Sequence, residues 1–117
     1  MGSEETRVAN GIGHFDIVGR DEGALHRFYA EVFGWQVDSR GPGFALVRTP
    51  AGSPDGAIAE GEEASLTMGV TVPDLDAALA VATAAGGGVV MPATDNGWVV
   101  KGEVTDPVGN RVTLIQS

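Results

Sequence analysis

Residue types that carry much of protein chemistry are scarce or missing in this 117-residue chain. It has no cysteine, which excludes disulfides, thiolate nucleophiles and cysteine-ligated zinc. Only 7 basic residues stand against 16 acidic ones, which argues against nucleic-acid binding because that affinity depends on clustered lysine and arginine. No apolar run approaches the roughly 18 residues of a membrane span. The acidic start, Met1 to Glu5, does not resemble a signal peptide, so we expect a cytoplasmic protein.

What the chain does contain is an internal repeat. Asp21 and Asp74 each follow a strand-like segment and open a helix-like one, and Gly34 and Gly87 close those helices. Both pairs are separated by 53 residues (74 − 21 and 87 − 34). Carried to the end of the modules, the same offset pairs Glu60 with Thr113. We therefore expect two structural modules in tandem.

Each module has the same predicted order, a strand, a helix and three more strands. The alternation of apolar residues predicts the strands, and the spacing of Leu25, Phe28, Tyr29 and Val32 predicts the first helix. The predicted strands are 12–18, 35–38, 44–48 and 57–60 in module one, and 66–72, 89–91, 98–104 and 111–115 in module two. The predicted helices are 21–34 and 74–85.

These elements predict an α+β fold of two βαβββ modules, with a curved eight-stranded mixed sheet around a cleft and one helix per module on its outer face. Module one covers residues 11–60, a linker covers 61–65, and module two covers 66–116. A half of this chain would make a marginal domain, so we expect one domain whose modules share a single core.

Strand alternation predicts which side chains line the cleft. Phe15 and Ile17 form the helix-facing set of the first strand, as Met68, Val70 and Val72 do in its repeat. The cleft-facing set is then His14, Asp16, Val18, Thr67, Gly69, Thr71, Val99, Lys101, Glu103, Arg111, Thr113 and Ile115. This cleft is polar and of mixed charge, and it predicts a small-molecule ligand.

Five features together, four segments and the paired modules, resemble the vicinal oxygen chelate superfamily, which includes glyoxalase I, bleomycin-resistance proteins and extradiol dioxygenases. They are Gly13-His-Phe-Asp-Ile17, Phe28-Tyr-Ala-Glu-Val-Phe-Gly-Trp35, Val72-Pro-Asp-Leu-Asp-Ala-Ala-Leu79, Asp106-Pro-Val-Gly-Asn110 and the paired modules themselves. The resemblance covers residues 11 to 116 and implies the fold more strongly than the activity. It also implies a homodimer.

The resemblance implies that metal ligands come from the first and last strands of each module. Mapped through the repeat, these positions are His14, Glu60, Thr67 and Thr113. Histidine and glutamate suit a divalent ion and threonine does not, whereas a metalloenzyme site needs about three protein ligands. We therefore expect no cofactor, with a divalent metal held by His14 and Glu60 as the alternative.

Each candidate has a structural alternative. His14 can be a hydrogen-bonded cleft residue, Glu60 a solvated carboxylate at a strand end, and Asp16 a structural acceptor instead of a general base. Lys101 and Glu103 can form an ion pair with each other or flank one. Trp98 can stack on a planar ligand or pack in the core or a dimer contact.

Three hypotheses for function follow. The first is a small-molecule binding protein or an enzyme that acts without a metal. The second is a lyase, isomerase or dioxygenase in which a further residue such as Glu103 or Asp16 completes a metal site with His14 and Glu60. The third is a non-catalytic interaction protein.

Overall fold

The computed structural model describes residues Asn10–Ser117, and the acidic start discussed above lies outside them. The predicted α+β fold is confirmed, with two βαβββ modules, eight strands in parallel and antiparallel pairs, and two helices. The elements of module one are β1 (Ile12–Gly19), α1 (Glu22–Phe33), β2 (Gln36–Ser39), β3 (Phe44–Arg48) and β4 (Asp55–Glu60). Those of module two are β5 (Ser65–Val72), α2 (Leu75–Ala84), β6 (Gly88–Asp95), β7 (Val100–Thr105) and β8 (Arg111–Gln116).

Both helices begin where the sequence predicts them to begin. The side chain of Asp21 accepts a hydrogen bond from the backbone N–H of Ala24 (3.0 Å), and that of Asp74 accepts one from Ala77 (3.1 Å). These bonds satisfy backbone donors that the first turn leaves without a partner. Gly34 ends α1 in the left-handed region, at φ 73°, where glycine is unstrained.

Two strands of module two differ from their predicted bounds. β6 continues to Asp95 instead of stopping at Met91, with register irregularities against β7. Pro92 concealed this extension, because proline usually interrupts a strand, but an edge strand tolerates it and β6 is last in the strand order. β7 starts at Val100, so Trp98 precedes the strand instead of belonging to it.

The described residues divide into two compact units, His14–Thr67 and Met68–Ser117, the latter including Asn10–Gly13. In the first unit the strand order is β2-β3-β4-β1, and β1 runs parallel to β4. In the second unit the order is β5-β8-β7-β6, and β5 runs parallel to β8. Each unit therefore repeats the same pairing scheme.

Each unit also has its own hydrophobic core. The expectation of one domain stays a prediction. Each helix packs on strands of its own module, α1 on β2 and β4, and α2 on β6, β7 and β8. The buried residues of the first core are Ile17, Ala45, Val47 and Ile58. Those of the second are Val72, Leu75, Leu79, Val104 and Leu114.

In the described residues, neither helix has the length and apolar character that crossing a bilayer requires.

Candidate functional site

One face of each unit's sheet carries the helix and the other does not. Phe15 and Ile17 pack in the first core, beside Leu25 and Tyr29 of α1, as predicted from strand alternation. In the second unit Val70 and Val72 pack with α2, but Met68 is outside that cluster and 45% exposed. Side chains of opposite parity lie on the side of the sheet that carries no helix.

In the first unit we call this side the first face and define it by the side chains that cross-strand pairing aligns there. Asp16 pairs with Ala57, and Ala57 with Leu46. The next row joins Val18, Ala59 and Phe44, and His14 pairs with Asp55. The first face is thus His14, Asp16, Val18, Phe44, Leu46, Asp55, Ala57 and Ala59. It changes from apolar at Val18 and Phe44 to polar at His14 and Asp55.

The polar end of the first face contains a histidine–carboxylate pair. His14 Nε2 lies 3.1 Å from Asp16 Oδ1, and the two side chains are 35% and 37% exposed. Residues i and i+2 of a strand point to the same side, which is why these two meet. The hydrogen-bond partner of His14 is therefore Asp16.

Glu60 is not beside His14. The β1–β4 register pairs His14 with Asp55 and Gly19 with Glu60, so the two residues are five positions apart, roughly 16 Å along the strands. Glu60 also shares the parity of Ile58, which is buried in the core on the helix side. Distance and direction both keep the Glu60 carboxylate away from the imidazole.

The misplacement of Glu60 comes from the repeat offset, which is not constant along the chain. Asp16 pairs with Ala57, and its repeat partner Gly69 pairs with Thr113. The equivalent of Thr113 is therefore Ala57, at an offset of 56 (113 − 57), because module two is three residues longer before its last strand. By the same offset Glu60 corresponds to Gln116, whose side-chain oxygen accepts from the Leu75 backbone N–H at the start of α2 (2.8 Å).

In the second unit the helix-free side carries more charge, and we call it the second face. Its rows pair Lys101 with Ile115, Glu103 with Thr113, and Thr105 with Arg111. These six residues define it. Lys101, Glu103, Arg111 and Thr113 are thus brought to one surface, as strand alternation predicted.

The ion pair on the second face joins Glu103 to Arg111 instead of Lys101. Arg111 Nε and Nη2 donate to the two Glu103 carboxylate oxygens, both at 2.9 Å. This two-point geometry fixes the plane of the guanidinium group, and the hydrogen bond and charge of Glu103 raise the pKa of Arg111. The Arg111 side chain remains 59% exposed, whereas that of Glu103 is 18% exposed.

The two remaining candidates lie elsewhere. Thr67 is half-buried on β5, at the end of the first unit. Trp98 is 91% exposed in the turn between β6 and β7, where the Asn96 side chain accepts from the backbone N–H groups of Trp98 and Val99, both at 3.0 Å. Trp98 therefore does not pack in the core, unlike Trp35, which stacks on Tyr29.

Phe44, Leu46 and Ala57 were missing from the set of candidates. Phe44 and Leu46 could have been found from the alternation of residues 44–48. Ala45 and Val47 in this strand are buried at 0% and 1% exposure, and their neighbours face the opposite side. Ala57 could be placed on the first face only from the register of β4 against β1 and β3.

Comparison with known proteins identifies the family. A family model described as a glyoxalase-like domain matches residues 15–115. The chain belongs to that family. It is 32% identical over 114 residues to "Putative glyoxylase CFP32" of Mycobacterium bovis, and the match covers 87% of this chain and 44% of that protein. The chain therefore spans less than half the length of this curated relative.

Solved structures of this superfamily share the fold of the glyoxalase-like chain. One is a glyoxalase/bleomycin resistance protein/dioxygenase superfamily member from Vibrio splendidus, with TM-score 0.71, 15% identity, and coverage of 93% of this chain and 100% of that one. Another is the Mn(II)-bound glyoxalase of Novosphingobium aromaticivorans, with TM-score 0.74, 17% identity, and coverage of 92% and 39%. At these identities the likeness is one of fold.

The donor set of this glyoxalase-like domain does not fit a metal centre at the four positions that the superfamily resemblance implies. After the register correction these positions are His14, Ala57, Thr67 and Thr113. Alanine has no donor atom, and a neutral threonine hydroxyl is a weak ligand for a divalent ion. In the range Asn10–Ser117, no three or more His, Cys, Asp and Glu residues are grouped so that they could hold a metal ion.

Proposed function

We propose that this glyoxalase-like protein binds a small organic molecule on the first face, without a divalent metal at the four superfamily positions. One sheet surface joins exposed apolar side chains to a half-buried histidine–carboxylate pair, and this observation supports the proposal. A ligand that matches this surface has an apolar body and one hydrogen-bonding end.

The apolar part of the first face supports the body of such a ligand. Phe44 and Leu46 are 40% and 37% exposed although they stand in a strand whose alternate residues are fully buried. Ala59 beside them is small and half-buried, so an aromatic or aliphatic group can approach the sheet there, whereas Ala57 is only 3% exposed. Covering this surface contributes about 25 cal/mol per Å² of apolar area removed from water.

The polar end supports a directional contact. Asp16 accepts from the His14 ring when Nε2 carries the hydrogen, which leaves Nδ1 as the acceptor in the neutral imidazole. A ligand hydroxyl or amide N–H can donate to that nitrogen. The His14–Asp16 pair thus offers one oriented polar contact. His14 lies one row, roughly 7 Å along the strands, from the row that contains Leu46.

Binding is tested with a library of small aromatic and aliphatic compounds that each carry one hydrogen-bonding group. The readout is the backbone amide shift of Ala57 and Ala59 in ¹H–¹⁵N NMR spectra. Leu46→Lys places a charge on the first face and should weaken binding about tenfold, because it removes the burial of one leucine. Leu66→Lys is the matched control, since Leu66 is 72% exposed and of helix-side parity.

Two results would overturn this part of the proposal. One is a library in which no compound shifts the two amides. The other is an equal loss of affinity in Leu46→Lys and Leu66→Lys, which would mean that the first face does not contact the ligand.

The metal-free part is tested by elemental analysis of protein purified without chelator and by thermal unfolding with Mn²⁺, Fe²⁺, Co²⁺, Ni²⁺ and Zn²⁺. We expect sub-stoichiometric metal and no rise in melting temperature. A rise that disappears in His14→Ala would instead favour a metal-dependent lyase, isomerase or dioxygenase.

A further inference from the structure

We propose that Lys101, Thr113 and Arg111 on the second face form a binding site for an anionic group, a carboxylate or a phosphate. The proposal uses residues of the second unit alone and does not require a ligand on the first face.

The charges of the second face do not cancel. Both Glu103 oxygens are occupied by Arg111, at 2.9 Å each. In the described part of the chain, Lys101 has no carboxylate oxygen within ion-pair distance. Two cations and one anion therefore leave the second face with one net positive charge, in a protein whose formal net charge is −9.

The second face is also rich in hydrogen-bond donors. A guanidinium group has five N–H donors, and Glu103 uses two of those of Arg111. The three N–H donors of the Lys101 ammonium group and the Thr113 hydroxyl add to the remaining three. Carboxylate and phosphate groups accept several hydrogen bonds at once, and arginine presents donors in a geometry that matches both.

The two cations of the second face lie on either side of Thr113. Thr113 stands in the middle row of the second face, opposite Glu103, with Lys101 in the row before and Arg111 in the row after. Successive rows are about 7 Å apart, which a lysine side chain can span. An anion above Thr113 would thus have a cation on each side. Glu103 is a positioning residue, since its two contacts hold the plane of the Arg111 guanidinium group.

The composition of the chain makes this proposal directly testable, because Lys101 is its only lysine. Selective labelling with ¹³C-lysine leaves the ammonium group unmodified and yields the signals of one lysine in ¹H–¹³C NMR spectra. The titrants are sodium phosphate and sodium acetate, with sodium chloride at the same ionic strength as reference. We expect a saturable shift of the Lys101 signal with phosphate or acetate that chloride does not reproduce.

The two arms of the titration separate the two sources of negative charge. A shift with phosphate alone assigns the site to phosphate groups, and a shift with acetate alone assigns it to carboxylates. A shift with both supports a general anion site. A shift of equal size with chloride, or no saturable shift with any salt, would overturn the proposal.

Arg111→Gln should lower the apparent anion affinity about tenfold, the loss expected for a hydrogen bond to a charged group. Arg20→Gln is the matched control, because Arg20 is also paired with a glutamate, Glu62, but in the first unit. Thr113→Val is a second variant, which removes the hydroxyl at nearly constant volume. Unchanged affinity in Arg111→Gln and Thr113→Val, with both folded by circular dichroism, would contradict the proposed site.

Discussion

Ile58 in the first unit and Leu114 in the second occupy the same place, buried next to their helices. Their cross-strand partners also correspond, since Ala45 pairs with Ile58 and Gly102 pairs with Leu114. Both partners are small, and a Cβ at Gly102 would already meet Leu79 at 3.3 Å. On the helix side, both units thus pair a large aliphatic residue with a small one.

On the helix-free side the same comparison gives the opposite result. Leu46 pairs with Ala57 in the first unit, where Glu103 pairs with Thr113 in the second. Phe44 pairs with Ala59 where Lys101 pairs with Ile115. At these positions one backbone scheme thus presents apolar residues in one unit and charged residues in the other. Packing against the helix restricts the residue types on the helix side, whereas the helix-free side can carry residues of different binding chemistry.

The helices differ as well. α2 buries Leu75 and Leu79, whereas α1 has no fully buried residue. α1 instead carries a group of aromatic rings with Phe28 and Phe33 about half exposed. The second helix is therefore expected to contribute more to stability through burial.

Leu75→Ala tests this difference and should have the largest effect of the stability variants. Leu75 is 2% exposed, so its truncation should lower the free energy of unfolding by about 2–5 kcal/mol. Leu25→Ala in α1 should cost less, because Leu25 is only half-buried. Urea denaturation measures both. An equal loss in the two variants would contradict the difference between the helices.

Gly56→Ala sharpens the comparison of the two cores. A Cβ at Gly56 would lie 2.4 to 2.6 Å from three atoms of the Phe15 ring, which pairs with Gly56 across β1 and β4. Overpacking of this kind costs about 1–3 kcal/mol in unfolding free energy. Gly23→Ala is the control, since its Cβ meets only Asp21 Oδ1, at 3.6 Å.

In a helix alanine is favoured over glycine, so Gly23→Ala should stabilise the protein in the same denaturation experiment. Phe15→Leu should recover part of the loss when combined with Gly56→Ala, because it shortens the clashing side chain. No recovery in the double variant would mean that Phe15 is not the source of the strain.

Asp106→Ala should have the smallest effect and a distinctive pH dependence. Hydrogen bonds from Asn110, first from its side chain and then from its backbone, lower the pKa of Asp106, with further bonds from Val108 and Gly109. A lowered pKa in the folded state means that this contribution is complete above the ordinary aspartate pKa of about 4 and is lost as pH falls through the folded-state value.

The melting temperatures of the parent protein and Asp106→Ala should therefore differ at neutral pH and converge in acid. Asp106→Asn retains one acceptor oxygen and should show a smaller loss without that pH dependence. A difference that persists unchanged below the folded-state pKa would show that the carboxylate charge is not responsible.

The sequence by itself determined the element order, both helix caps, and most helix-facing positions. Asp21 and Asp74 cap helices because their side chains bond to backbone groups only three residues away. Phe15 and Ile17 face the helix because a strand alternates with a period of two. Such signals are local and need no knowledge of strand pairing.

Tertiary structure alone decided which residues stand side by side. Whether Glu60 or Ala57 faces the same side as His14 depends on the β1–β4 register, and a shift of three residues changes both distance and side. Glu103 on β7 pairs with Arg111 and not with Lys101. The β7–β8 register makes Arg111 the diagonal neighbour of Glu103 on the adjacent strand. Loop lengths set these registers, and a repeat offset measured at the helices does not include the loops that follow them.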